Sequence, residues 1–334
     1  MRSTRPLALT AAAVALAAVP LAAAAPAGAG QSRPPYAIDS SGPAADAVFP
    51  EGVATDSAYF YVGSTTDGTV YRGELGGTTA TRFLAGGQDG RTSAIGMKVA
   101  DGYLFVAGGA TGRFFVYDVD SGELVGSYAV PATGAPTFLN DVAVAPDGTV
   151  YVTDSQRPVL YAVSPDYATD GVETLPAGYE YAGTELVYQA GFNVNGIVAS
   201  PDGRYLLLAQ SNTGTLFRVD RATGDITAVD LGGAKVSGDG LVLRGRTLYA
   251  VERAPLDPPQ TGPDNVDGRI VEIRLSGDWT SGTVLGYTRD DSFDDPTTAA
   301  IARGRLLVVN SQFGERSAGV APSTPFTVSS IPLP

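Results

Sequence analysis

The chain has no cysteine and no histidine in 334 residues. Those two absences exclude zinc fingers, Fe–S clusters, haem ligation through either side chain, thiol nucleophiles and a Ser-His-Asp triad. Any metal must be held by oxygen, and any general base must be a carboxylate, lysine, tyrosine or water. Disulfides are excluded too, so stability has to come from packing and from whatever ion the fold binds. Basic residues are scarce, with 22 Lys and Arg against 35 Asp and Glu, a formal net charge of -13. A surface of that sign repels nucleic acid and anionic membrane, so neither is expected as a partner. A cation, or a neutral or cationic small molecule, suits it better.

What is present begins with a targeting pattern. Arg2 and Arg5 precede the apolar run Leu7 to Val19, and small residues follow at Ala23, Ala25, Ala27 and Ala29. This is the order of a secretory signal peptide, and Pro20 and Pro26 interrupt the run before it reaches the roughly 20 residues a membrane span needs. Residues 1–30 are therefore expected to be removed and the mature protein, residues 31–334, to be secreted as a single domain. Losing two Arg and no acid would move the charge from -13 to -15.

The rest of the chain shows short runs of Val, Tyr, Phe, Leu and Thr separated by Gly, Asp and Pro, a pattern of many strands. Six segments repeat one layout: a turn dipeptide, an apolar strand, a hairpin turn such as Asp101-Gly102, Asp147-Gly148 or Asp202-Gly203, a second strand, another turn and a third strand. Aligned on Gly52, Gly96, Asp141, Gly196, Gly240 and Ala299, the intervals are 44, 45, 55, 44 and 59 residues. The longer ones carry insertions, Tyr167 to Ala190 and Ala254 to Gly268, expected to be specificity loops near one face. A period near 44 with several strands per repeat predicts an all-β, six-bladed β-propeller. Ring closure should come from the two chain ends, with Pro325 to Ile331 as the third strand of the last blade and Tyr36 to Asp39 as its outer strand.

In a propeller, the residues entering the innermost strands ring the mouth of the central tunnel. Here they read Glu51, Ile95, Asn140, Asn195, Asp239 and Thr298. Any one Asn, Asp or Glu before a strand can be explained by a turn hydrogen bond. Four oxygen donors at one repeat phase, two of them acids that would repel across a narrow tunnel, instead point to a hard divalent cation. Calcium is the expected ion, since it takes about 6 to 8 oxygen ligands. Glu51, Asn140, Asn195 and Asp239 would supply four, leaving places for water and substrate.

With these residues in view, the sequence resembles the SMP-30/gluconolactonase/LRE-like six-bladed propellers, related in architecture to diisopropylfluorophosphatase. The carriers are "PEGVA" with Glu51, "LNDVAVAPDGTVYVTD" with Asn140, "NGIVASPDG" with Asn195 and "GDGL" with Asp239. The resemblance implies a divalent cation on the matching Glu, Asn and Asp, with Asn140 on metal or substrate and Asp239 as ligand and general base or nucleophile. It departs from the sugar-lactone enzymes just before Asn140, where Thr137, Phe138 and Leu139 stand in place of their usual Arg. A sugar-acid lactone would lose its charged contact there.

The expected activity is calcium-dependent hydrolysis of a lactone or other ester by a secreted monomer, with Asp239 as the catalytic group. A non-catalytic propeller with a structural calcium and a phosphotriesterase-like hydrolase are the alternatives. Arg91 and Gln210 are expected to contact substrate together with Asn140. Ser64, Asp154, Gln210, Glu252 and Asn310 fall near the ends of second strands. The strand aromatics Tyr59, Tyr61, Phe105, Phe114, Tyr151, Phe217 and Tyr249 are expected to pack between blades.

Overall fold

The computed structural model describes residues 33–41, 47–253, 256 and 268–334. The expected signal segment and almost all of the Ala254 to Gly268 insertion lie outside them.

Six four-stranded blades are built from these residues. The innermost strands, in blade order, are Pro50–Thr55, Met97–Ala100, Leu139–Val144, Val194–Ala199, Leu241–Arg244 and Pro296–Ala302. The four principal strands of each blade run antiparallel and follow chain order outward, except that the sixth blade takes its outermost strand from the N-terminal segment. Tight hairpins make this possible. At Asp101-Gly102 both residues have positive φ (50° and 82°), the mirror-image turn whose twist matches the flanking strands and which Gly adopts without penalty.

Alternation along the strands sends successive side chains to opposite blade faces, and six separate hydrophobic clusters result. Each fills one gap between adjacent blades. In the strand Tyr59–Ser64, Phe60 and Val62 join the cluster shared with the last blade, while Tyr61 joins the one shared with the second. The strand aromatics belong to these clusters, as expected from the sequence.

Closure uses both ends of the chain. Thr327–Pro332 is the third strand of the sixth blade, and Arg33–Ile38 pairs antiparallel with it as the fourth. The same N-terminal strand also pairs parallel with Thr79–Leu84 of the first blade, through Ala37 opposite Thr79 and Ile38 opposite Ala80. The first and last blades are thereby joined by backbone hydrogen bonds as well as by packing.

Two expectations from the sequence are corrected. The insertion from Tyr167 is not simply a loop: Val172–Thr174 adds a parallel strand to the outer edge of the second blade, and Ala177–Glu180 is the outer strand of the third. Phe192, two residues past the segment, lines the cavity described below. The sixth repeat was also read one residue late. Pro50 and Pro296 both precede a bulge, after which Val53 faces Val62 and Ala299 faces Val308. The residue equivalent to Glu51 is therefore Thr297, not Thr298. The slip arose because "TTAA" lacks the Gly that marks this bulge in four other blades.

Candidate metal and substrate site

Each inner strand opens with a bulge, and the bulge fixes the ring. In the second blade the N–H of Gly96 donates to the Asn140 carbonyl at 2.8 Å, and in the fifth Gly240 donates to the Thr297 carbonyl at 2.9 Å. The Thr297 hydroxyl donates in turn to the Glu51 carbonyl at 2.8 Å, and that of Thr153 to the Asn195 carbonyl at 2.8 Å. Blades thus touch backbone to backbone at this level. A Cβ on Gly96 would lie 2.2 Å from the Asn140 oxygen, so glycine is required by close approach.

With the backbone committed between blades, Glu51, Ile95, Asn140, Asn195 and Asp239 all line one cavity of about 670 Å³ at this end of the axis. Asn195 Nδ2 donates to Asp239 Oδ1 at 2.7 Å. Asn140 Nδ2 donates to Ser155 Oγ at 2.9 Å, and Ser155 donates its one proton to the Val194 carbonyl at 2.8 Å. Because that hydroxyl proton is already used, Ser155 can only accept from Asn140, which fixes the orientation of the amide. Asn140 Oδ1 is then left buried without a partner, and so is Glu51 Oε2. Buried polar atoms in folded proteins are nearly always paired. Two orphaned acceptors beside buried carboxylates fit the coordination of a cation.

The electrostatics agree. Burial raises Glu51 well above the usual carboxylate range, and the negative charges of Asp239 and Asp141 raise it further. Burial lifts Asp239 to about 6, against the opposing pull of Arg253 and of the Asn195 hydrogen bond, with Asp141 adding to the rise. Asp141 is likewise lifted to about 6 by burial. Three carboxylates repelling one another in a desolvated channel are relieved either by protons or by a divalent ion. Among the described residues no cluster of three or more acidic groups forms a cage by itself, so the fit depends on the mixed set of two carboxylates and two amide oxygens. That set is hard and all-oxygen, as calcium requires.

Arg91 and Gln210 do not line the cavity. Arg91 is fully buried in the wall, donating from Nε to Gly68 O at 2.7 Å, from Nη2 to Ala85 O at 2.8 Å, and to the Tyr117 hydroxyl. Gln210 is buried too, its Nε2 bound to Val187 O and Asn193 Oδ1. The expectation that these two contact substrate is corrected on that placement: their polar groups are spent inside the protein.

Gln210 belongs to a second tier. Ser64, Asp154, Gln210, Glu252 and Asn310 end the second strands of five blades, and all are buried. Four of them hold the loop that enters their own blade. Asp154 accepts from Phe138 N, Glu252 from Ser237 N, Asn310 from Asp294 N, and Gln210 binds Asn193. Phe138, Asn193 and Ser237 each stand two residues before a ring residue. This tier aims the ring.

Sequence reasoning missed several cavity residues. Asp141, whose charge acts on Glu51 and Asp239 although it does not itself line the cavity, stood in the alignment as an acid at a position that is Gly in four other blades, a usable signal. Phe138 and Arg253 stand at repeat positions, two before Asn140 and directly after Glu252, whose residue type most other blades do not share, while Phe192 and Arg316 follow no repeat phase; the rings of Phe138 and Phe192 meet edge to face at 4.9 Å. Arg316 lies on the short helix Phe313–Ala318, donates to Thr65 Oγ1 at 2.9 Å and sits over the Phe49 ring.

No protein-family model matches the sequence, and no curated protein matches it either. Solved structures share its fold. The Malassezia sympodialis allergen Mala s 1 is similar with a TM-score of 0.61 at 16% identity, over 85% of this chain and 93% of that one. A protein from Lactobacillus plantarum is similar at 0.51 and 18% identity, over 78% and 77%. The Cps50 (Swd1) β-propeller domain of Myceliophteria thermophila is similar at 0.51 and 13% identity, over 92% and 89%. At these identities the likeness establishes the propeller fold alone.

Proposed function

We propose that this propeller is a secreted, calcium-dependent hydrolase of a lactone or other ester. The observation that carries the reading is the pair of buried, unpartnered oxygens, Glu51 Oε2 and Asn140 Oδ1, on the floor of a large cavity beside the Asn195–Asp239 hydrogen bond. Glu51, Asn140, Asn195 and Asp239 would hold the ion. When bound, calcium would supply Lewis-acid polarisation of the scissile carbonyl and stabilise developing negative charge.

The protein's own groups do the rest. Asn195 ties Asp239 at Oδ1, leaving Oδ2 without a hydrogen bond among the described residues. Asp239 takes a proton from water as the water oxygen adds to the carbonyl carbon, and then returns it to the departing alkoxide when the ester C–O bond breaks. Direct attack by the carboxylate is the alternative use of the same atom. Asn140, locked by Ser155, orients the carbonyl end of the substrate.

The upper wall supports an ester with an apolar arm. Phe138, Phe192, Ile95 and Phe313 line the cavity, and Arg253 and Arg316 line it with them. The acidic net charge of the chain therefore does not extend uniformly into the pocket, and a polar or anionic substituent on the substrate is accommodated beside the two guanidinium groups. The reading is tested by hydrolysis of a lactone and aryl-ester panel with calcium and with chelator, alongside the melting temperature in both. Calcium-dependent turnover supports it; absence of any calcium effect on turnover and on melting overturns it. Calcium-dependent melting with no turnover across the panel would favour a structural ion instead.

A further inference from the structure

The other end of the axial channel has its own construction. The inner-strand residues Ala54, Lys98, Ala143, Val198, Val242 and Ala300 occupy the same step in the six blades, facing Tyr61, Phe105, Tyr151, Leu207, Tyr249 and Leu307 of the second strands. All six line a chamber of about 250 Å³ below the ring. Five are Ala or Val, and the sixth is one of only two lysines in the chain.

Lys98 is half-buried and forms neither a hydrogen bond nor an ion pair among the described residues. The remaining side chains lining the chamber are aliphatic apart from Thr55. The innermost strands have no sheet partner on their axial side, so backbone N–H groups add donors to the wall. An ammonium in such surroundings is costly unless an anion meets it. The charge of Asp141 acts on it, but the two groups form no ion pair, and the Asp141 oxygens accept instead from the N–H groups of Val142 and Ile197, at 2.8 and 3.2 Å.

We propose that this lower chamber is a second binding site, taking a short aliphatic carboxylate whose charge pairs with Lys98 and whose chain packs on the Ala and Val walls. The volume suits such a ligand, being below the roughly 300–1,000 Å³ of pockets that hold drug-sized molecules. The site is separate from the oxygen ring above and does not rest on the hydrolase reading.

Two lysines make the test direct. Protein labelled with 13C and 15N in lysine only would be titrated with hexanoate in the presence of chelator, so that no carboxylate reports on a metal in the upper ring. The expected result is a saturable shift of the Lys98 side-chain signal by about 1 mM ligand with Lys235 unmoved, and no comparable shift with hexanol. Lys98→Met should weaken hexanoate binding in calorimetry by about tenfold or more, the loss of one charge-assisted contact. An unmoved Lys98 signal up to roughly 10 mM hexanoate, equal binding of hexanol, or unchanged affinity in a folded Lys98→Met protein would overturn the proposal. If that variant does not fold, the hexanoate–hexanol comparison on the native chain decides alone.

Discussion

The two ends of the channel are built by the same six strands and are chemically opposite. At the entry of the strands the backbone is consumed by bonds between blades, and the side chains Glu51, Asn140, Asn195 and Asp239 are free to converge as oxygen donors. A few residues further along, the equivalent positions are Ala or Val in five blades and carry one amine, Lys98. A repeat fold thus assigns scaffold and chemistry by phase within the repeat. One phase is constant because blades must pack, and another varies because side chains there face a shared axis.

The largest effect should come from the residue on which the upper chemistry depends. Asp239→Asn keeps size and an oxygen donor but removes the base, so ester turnover should fall by about 10²–10⁴-fold, measured at saturating calcium. Hexanoate binding at Lys98 should be unchanged in the same protein, which sharpens the separation of the two ends. Retained turnover would sink the role given to Asp239.

Next in size is a change behind the ring. Glu252 and Arg269 form a buried ion pair at 2.6 Å, and Glu252 also holds Ser237 two residues before Asp239. Breaking a buried pair by removing one partner costs about 3–5 kcal/mol. Glu252→Ala should therefore lower the melting temperature sharply and weaken calcium binding with it. Loss of stability at unchanged calcium affinity would show that this tier supports the blade without aiming the ring.

How much of this was legible in the sequence follows from the same division by phase. The blades could be read because each gap between blades demands alternating apolar strands and each hairpin demands a turn residue, and both recur with the repeat. The four oxygen donors were readable because their bulge usually carries Gly. Thr297 was misplaced by one residue because its blade lacks that Gly. Arg91 looked available because proximity in sequence to a ring residue says nothing about whether its donors are spent, and here they are spent on Gly68, Ala85 and Tyr117. Phe192 and Arg316 were invisible because their loops obey no period. The outer-strand role of Ala177–Glu180 was hidden because strand pairing at the rim, where all of its residues are exposed or half-buried, leaves no clear apolar pattern.

A third prediction uses acid instead of metal to relieve the ring. In calcium-free protein Asp239 is held at about 6 and Glu51 is also raised, so both bind protons more tightly folded than unfolded. Groups with raised folded values stabilise fully below their unfolded pKa, and that contribution is lost as pH rises through the folded value. Chelated protein should accordingly lose on the order of 2–3 kcal/mol from Asp239 alone between about pH 4 and pH 7. Added calcium should restore stability at pH 7 and do little at pH 4. Melting curves of the native chain and of Asp239→Asn, in chelator across that range, isolate the contribution. Identical pH profiles in the two proteins would contradict the assigned shift.

The smallest effect concerns the wall that distinguishes the upper cavity from a bare metal site. Phe138 and Phe192 meet edge to face with ring planes at 86°, one standing at the entry to the third blade and the other just past the insertion that precedes the fourth. Such a pair is worth about 0.5–1.5 kcal/mol beyond its buried area. Phe192 is 48% exposed, so its removal leaves no sealed void and the fold should survive. Phe192→Ala should raise KM for an ester with an apolar acyl chain by about 2- to 10-fold and leave kcat nearly unchanged, because the contact is made equally in ground and transition states. The same variant should not alter KM for an acetate ester, whose acyl group is too short to reach the pair. A fall in kcat with both esters would mean that the aromatic wall holds Asn140 or Asp239 in place, and would erase the distinction between wall and floor.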